Sequence, residues 1–230
     1  CAGPVRETLS QPASIAWVMM AGALVLMMQA GFMMLEAGLV RSKNSINVAQ
    51  KNLLDFVFAA LAFALVGFMI AFGRDSGFGF GLDADSFLLS HLDTADIAFF
   101  SFQVMFCGTA ATILSGATAE RLRLSAYVIA SVVIGALIYP VFAHWAWGAS
   151  LQPSASAFLA NRHFVDFAGS TVVHATGAWV SLAGCLVLGP RIGRFGADGR
   201  PNRIAGHSTV IATAGTLLIF FGWLGFNGGS

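Results

Sequence analysis

From Phe167 to Gly189 the chain runs 23 residues without a formal charge. At about 1.5 Å per residue, a helix of that length crosses the hydrocarbon core of a bilayer. A lone imidazole, His174, lies inside the run, eight residues beyond Asp166, and so about 12 Å deeper. Small residues recur along it: Gly169, Ser170, Ala175, Gly177, Ala178, Ser181, Ala183 and Gly184. They let neighbouring helices approach closely, which suits a helix inside a bundle rather than one facing lipid. An ionisable side chain at membrane depth is costly, so His174 is a candidate functional residue. A core histidine bonded to a backbone carbonyl fits the same pattern.

The rest of the chain repeats this character. Of its 230 residues, 57% are hydrophobic and 10% are charged, against about 25% charged in ordinary soluble domains. The apolar runs are long and uninterrupted, without the short alternating segments of a membrane barrel. The fold class expected is an all-α polytopic membrane protein. A net charge of +1 gives no case for nucleic acid. Cys1, Cys107 and Cys185 lack metal-like spacing, and the latter two read as small buried hydrophobes. No nucleophile–base pair stands out, so no enzyme, cofactor or metal site is expected. Cys1 stands where an initiator Met would, the mark of a processed terminus, one lipidated at Cys1 included, or of a fragment.

Six spans follow from the apolar runs: about 14–39, 46–72, 95–119, 124–147, 167–189, and a sixth from His207. Pro140 is expected to kink the fourth. Residues 1–13 form a polar tail with Pro4 and Pro12. Residues 73–94 form a Gly-rich acidic loop with Asp75, Asp83, Asp85 and Asp93, and the loop before Asp166 carries Pro153. One set of connections holds Arg41, Lys43, Lys51, Arg121, Arg123, Arg191, Arg194, Arg200 and Arg203; the other holds Arg6, Arg74 and Arg162. The basic set is expected in the cytoplasm, which places the N-terminus outside. Trp147, Asp166, Phe226 and Ser230 then share the outer side, with Phe106 about 16 Å down its span. A Trp face with a hydroxyl and a nearby anion suits a small cation, although Trp at a helix end also fits an interfacial aromatic belt. Glu36 and Asp55 are expected to pair with Lys or Arg at the inner face. Residues 21–28 and 214–221 share three identical positions. Because these spans run in opposite directions, they hint at an inverted repeat, a transporter device.

These residues resemble the ammonium transporter (Amt/Mep/Rh) family. The stretch from Asp166 to Arg191 is similar to its signature: Asp-aromatic-Ala-Gly-small, Val-Val-His, paired small residues and a closing Gly-x-Arg. Further likeness lies in 38–44, 116–126, 143–148 and 222–230, so that it covers nearly all of 14–230. The resemblance implies eleven spans, a five-plus-five inverted repeat, a homotrimer in membrane lipid and an outside N-terminus. The chain then comprises an external tail (1–13) and a partial transporter domain (14–230). That domain is the first five-helix half plus the sixth helix, cut in or just after that helix. By the same resemblance, Trp147 and Ser230 form the ammonium recruitment site and Asp166 lies just under it. Phe106 and Phe226 form the stacked gate, and His174 is the first of two pore histidines. Gln103 belongs to the vestibule wall. Residues 28–32, 36–38 and 51–55 look like a branch that includes plant transporters and bacterial proteins with fused signalling domains. The implied function is ammonium/ammonia transport in the cell membrane, open to a cytoplasmic regulatory protein. The alternative is an ammonium sensor driving an attached signalling domain.

Overall fold

The computed structural model describes residues 5–84, 86–151 and 157–230. Expectations resting on Cys1, Pro4, Asp85, Pro153 and the Arg6 side chain lie outside the described residues. Six helices are long and apolar enough to cross a membrane: α1 (Pro12–Leu39), α2 (Ser42–Phe72), α3 (Thr94–Thr118), α4 (Leu124–Ser150), α5 (Ser170–Leu188) and α6 (Thr209–Gly229). Their starts are set by local chemistry. Pro12 fills the first turn of α1, where no N–H is needed. Asp93 caps α3 by accepting from the Asp96 N–H at 2.9 Å, and Ser208 caps α6 by accepting from Ile211 at 3.3 Å. Ahead of α1, Val5–Thr8 forms one helical turn and Leu9 is buried. Together the six helices make the chain a multi-pass membrane protein.

The most buried of the six is α3, which packs against α1, α2 and α5. The most extensive contact joins α1 to α6, antiparallel along their whole length: Gly38 lies against Ala212, Gly31 against Gly215 and Ile219, and Trp17 donates to the Gly228 carbonyl at 2.7 Å. A Cβ on Gly31 would lie 2.7 Å from Ile219 Cγ1, so the close approach requires glycine there.

Three spans contain π-helical turns: Phe63–Gly67 in α2, Ile134–Ile138 in α4 and Ser170–Ala175 at the start of α5. The α4 turn answers the expected proline kink. Pro140 has no N–H to give the preceding turn, and the ladder slips by one residue ahead of it, so that the Tyr139 N–H bonds to the Ile134 carbonyl. Several boundaries differ from the hydropathy reading by one to four residues, the starts of three spans among them. Span two starts at Ser42, span five at Ser170 and span six at Thr209. In span five the first three uncharged residues are spent on a bend under the Asp166 carboxylate.

Arg41, Glu120, Arg191 and His207 gather at one end of the bundle, opposite Trp147 and Ser230. Glu120, in the turn between α3 and α4, is fully buried. Its Oε1 accepts from the Arg41 backbone N–H at 3.0 Å, Arg41 Nε at 3.0 Å and Asn44 Nδ2 at 2.8 Å; Oε2 accepts from Arg191 Nη1 at 3.2 Å. Burial alone pushes this carboxyl up, but the hydrogen bonds from Arg41, Asn44 and Arg191 outweigh it and hold the carboxyl at about 2. One side chain thus ties the α1–α2 turn, the α3–α4 turn and the loop after α5.

The expected ion pairs of Glu36 and Asp55 do not form. Among the described residues no Lys or Arg nitrogen lies within 4 Å of either carboxylate. Glu36 accepts from Asn52 Nδ2 at 2.9 Å, and Asp55 meets the hydroxyls of Thr112 and Tyr127. Lys51, one turn from Asp55 on α2, turns away and donates to the Leu122 carbonyl. That carbonyl, left free where the α3–α4 turn breaks the helical ladder, gives the ammonium an acceptor near the membrane face.

Candidate functional site

At the end opposite Glu120 a cavity of about 600 Å³ opens among α1, α3, α4, α5 and α6. Trp17, Gln103, Phe106, Trp147, Asp166 and Ser230 all face it. Helix α3 contributes Phe102, Gln103 and Phe106 from one turn. Phe106 is 1% exposed and closes the cavity below. On its far side Phe226 of α6 stacks on it, with centroids 4.0 Å apart and planes 10° from parallel. This approach is tight even for a stacked pair. Trp147 stands above, 6.1 Å from Phe106 and tilted by 52°. Beyond Phe226, the His174 ring lies edge-on to it at 5.6 Å and stacks on Trp223 at 6.3 Å. The order is therefore cavity, Phe106, Phe226, His174.

Asp166 organises the start of α5. Its Oδ1 accepts from the Gly169 N–H at 2.8 Å, the Ser170 N–H at 3.1 Å and Ser170 Oγ at 3.2 Å. Its Oδ2 accepts from the N–H groups of Thr171 and Val172, each at 2.8 Å. Four amides that a helix start leaves unpaired are thus satisfied by one carboxylate. The Asp166 backbone carbonyl accepts from Trp147 Nε1 at 2.8 Å, which fixes the indole at the cavity edge. The path to His174 then turns on Gly169, whose φ of +88° few other residues adopt.

The π turn of α5 sets the state of His174. The Gly169 carbonyl accepts from the backbone N–H groups of Val173 and His174, and lies 3.1 Å from His174 Nδ1. A carbonyl only accepts, so Nδ1 carries the proton and Nε2 presents a lone pair. Ser230 Oγ donates to the Phe226 carbonyl at 2.7 Å, which leaves its oxygen lone pairs as acceptors. Gln103 is buried, and its Oε1 has no partner among the described residues. No cluster of three or more His, Cys, Asp or Glu side chains suited to a metal is found among the described residues.

Against known proteins, residues 16–230 match the family model described as Ammonium Transporter Family. The chain belongs to the ammonium transporter family. An ammonium transporter of Archaeoglobus fulgidus is 43% identical over 98% of this chain and 49% of its own length. The structure titled Sensor Amt Protein superposes with a TM-score of 0.90 at 43% identity, covering 94% of this chain and 54% of that one. Mep2 of Candida albicans superposes with a TM-score of 0.82 at 28% identity, over 95% of this chain and 48% of its own. The chain spans about half the length of the curated relatives it matches. Its six spans have the all-helical ammonium-transporter fold.

In this family member the structure brings Trp147, Asp166, Phe106 and Ser230 to one cavity, with Phe226 and His174 behind it. Sequence reasoning passed over Trp17 and Phe102, which line the same cavity. Phe102 was findable, one helical turn before Phe106 with ring centroids 4.6 Å apart. Trp17 carried no local signal, because its place comes from α6 packing on α1.

Proposed function

We propose that the chain is the first part of an ammonium transporter that recruits the cation in the 600 Å³ cavity and passes ammonia through a gated apolar path. The observation that carries this reading is the Phe106–Phe226 pair, stacked between that cavity and the His174 ring. Trp147 offers a π face worth about 0.5–2 kcal/mol to a partly desolvated cation. Ser230 and Gln103 add oxygen acceptors for N–H groups, which a potassium ion of similar size cannot use as directional partners. Asp166 works chiefly as the cap that holds Trp147 and α5, and adds negative charge beneath the cation. Past the two rings the surroundings are apolar. A bare cation is expensive there, so the ion gives up its proton, to solvent at the cavity or to His174 Nε2, and neutral ammonia goes on. The Nε2 lone pair of His174 accepts an N–H from ammonia or a proton on that path. The basic end faces the cytoplasm and the cavity faces outside, with the N-terminus outside. The working unit is a homotrimer in cell-membrane lipid, with its basic face open to a cytoplasmic regulatory protein.

The test uses the full protein in vesicles, with ammonium current and uptake measured against potassium competition. Trp147→Leu is expected to weaken apparent affinity or selectivity by up to about thirtyfold, the upper cation–π figure converted to a ratio. His174→Leu is expected to keep the fold and change flux or selectivity. Wild-type vesicles that move no ammonium, with ammonium-dependent output from an attached domain instead, would replace this reading with the sensor. Unchanged flux and selectivity in His174→Leu would leave a core histidine.

A further inference from the structure

A second group of buried ionisable side chains lies apart from the cavity, on the inner half of α1, α2, α3 and α4. Glu36, Lys51, Asp55 and Tyr127 are 8%, 0%, 0% and 0% exposed. Thr112, the hydroxyl that meets Asp55, is six residues beyond Phe106 on α3, about 9 Å farther from the cavity. The proposed transport path uses none of these groups, and an ionisable residue at membrane depth calls for a role.

The two carboxyls differ in what can solvate them. Glu36 borders a second cavity of about 250 Å³ at the basic end, which Arg121 and Arg191 also line. It accepts from Asn52 and couples electrostatically to Lys51. It opens on that cavity and has a donor within reach, as an ionised carboxylate needs. Asp55 borders neither cavity. The groups around it are Glu36 and Gln29 from α1, Lys51 from its own helix, the hydroxyl of Thr112 from α3, and Tyr127 from α4. Lys51 is committed to the Leu122 carbonyl and to the Tyr127 ring, 5.9 Å from its centroid. Among the described residues no Lys or Arg nitrogen lies within 4 Å of the Asp55 carboxylate.

The hydrogen-bond pattern agrees. Tyr127 donates to Asp55 Oδ2. Thr112 Oγ1 lies 3.0 Å from Asp55 Oδ1, 2.8 Å from Gln29 Oε1 and 3.0 Å from the Gly108 carbonyl. One hydroxyl proton cannot serve three acceptors. A hydroxyl on Asp55 donating to Thr112 Oγ1 frees the Thr112 proton for the Gly108 carbonyl, and the Gln29 amide, whose NH2 has no other partner among the described residues, donates to the same oxygen when turned over.

We propose that Asp55 is a resident proton-binding site inside the membrane. The proton is structural, off the transport path, and lets α1, α2, α3 and α4 meet without an unsolvated anion between them.

The experiment is infrared spectroscopy of the full protein in lipid. The wild type is expected to show the carbonyl stretch of a protonated carboxylic acid. Isotope-labelled aspartate is expected to shift that band, and labelled glutamate to leave it in place. Asp55→Asn, which matches the acid in shape and can donate to Thr112, is expected to lose the band and keep the wild-type unfolding midpoint. Glu36→Gln is expected to retain the band, and ammonium is expected to leave it unchanged. No acid band, a band that follows labelled glutamate, or a band bleached by ammonium would overturn the assignment. The labelling result stands even if Asp55→Asn fails to fold.

Discussion

Glu120→Gln is expected to cost stability in a pH-dependent way. In the folded protein burial raises this carboxyl, but its Arg41, Asn44 and Arg191 hydrogen bonds bring it from 4.5 to about 2. A lowering of that size corresponds to about 3 kcal/mol. Arg41 and Arg191 are themselves 35% and 31% exposed, so solvent screens their share and about 2 kcal/mol remains. Because the carboxyl is held low in the folded state, its contribution is complete above about pH 4.5. It is lost as pH falls toward about 2. The variant is therefore expected to unfold about 4–8 °C below wild type at neutral pH, and the gap is expected to close under acid. Thermal unfolding of the full protein in detergent, at graded pH, measures both. Glu120 also sits at φ +64°, so Glu120→Gly is expected to regain about 1 kcal/mol of backbone strain relative to Glu120→Ala. A gap that stays constant from neutral to acid pH would refute the clasp as an ionised one.

Asp166→Ala is expected to lose about 2 kcal/mol or more, because four amides lose their acceptor; the unfolding midpoint reports it, and a changed Trp147 fluorescence reports the freed indole. Gly169→Ala combines a φ of +88° with a Cβ 2.5 Å from Val173 Cγ2, and is expected to lower stability by about 1–3 kcal/mol and reduce uptake together. Gly31→Ala is expected to separate α1 from α6, with a midpoint loss of similar size.

The spans were legible because uncharged runs of membrane length have few other uses, and the basic residues marked their common end. The aromatic pair, Trp147, Asp166 and His174 could be placed from motif likeness, since side-chain identity carries it. The π turns left no such trace. Ser170–Ala175 is as apolar and small as an ordinary helix, and only the Gly169 carbonyl serving two amides reveals the slip. Glu36 and Asp55 read as partners of Lys or Arg at the inner face, and Lys51 stands only four residues from Asp55. Rotamers and the Leu122 carbonyl decide where the ammonium goes. That Asp166 serves four amides depends on how tightly the chain bends at Gly169, which its place in the sequence does not show.

The glycine-lined contact between α1 and α6 has a consequence for how the chain is made. Gly31 and Ile219 are about 190 residues apart, so at about 5–20 residues per second the first span waits about 10–40 s for its main neighbour. Through that interval the face carrying Gly31 and Gly38 is bare to lipid or to whatever shelters nascent spans. The bundle cannot close in the order in which it is synthesised. Trp17, which needs the Gly228 carbonyl for its indole N–H, reaches its final place only when the sixth span has entered. The cavity wall is therefore finished only when the first and sixth helices meet.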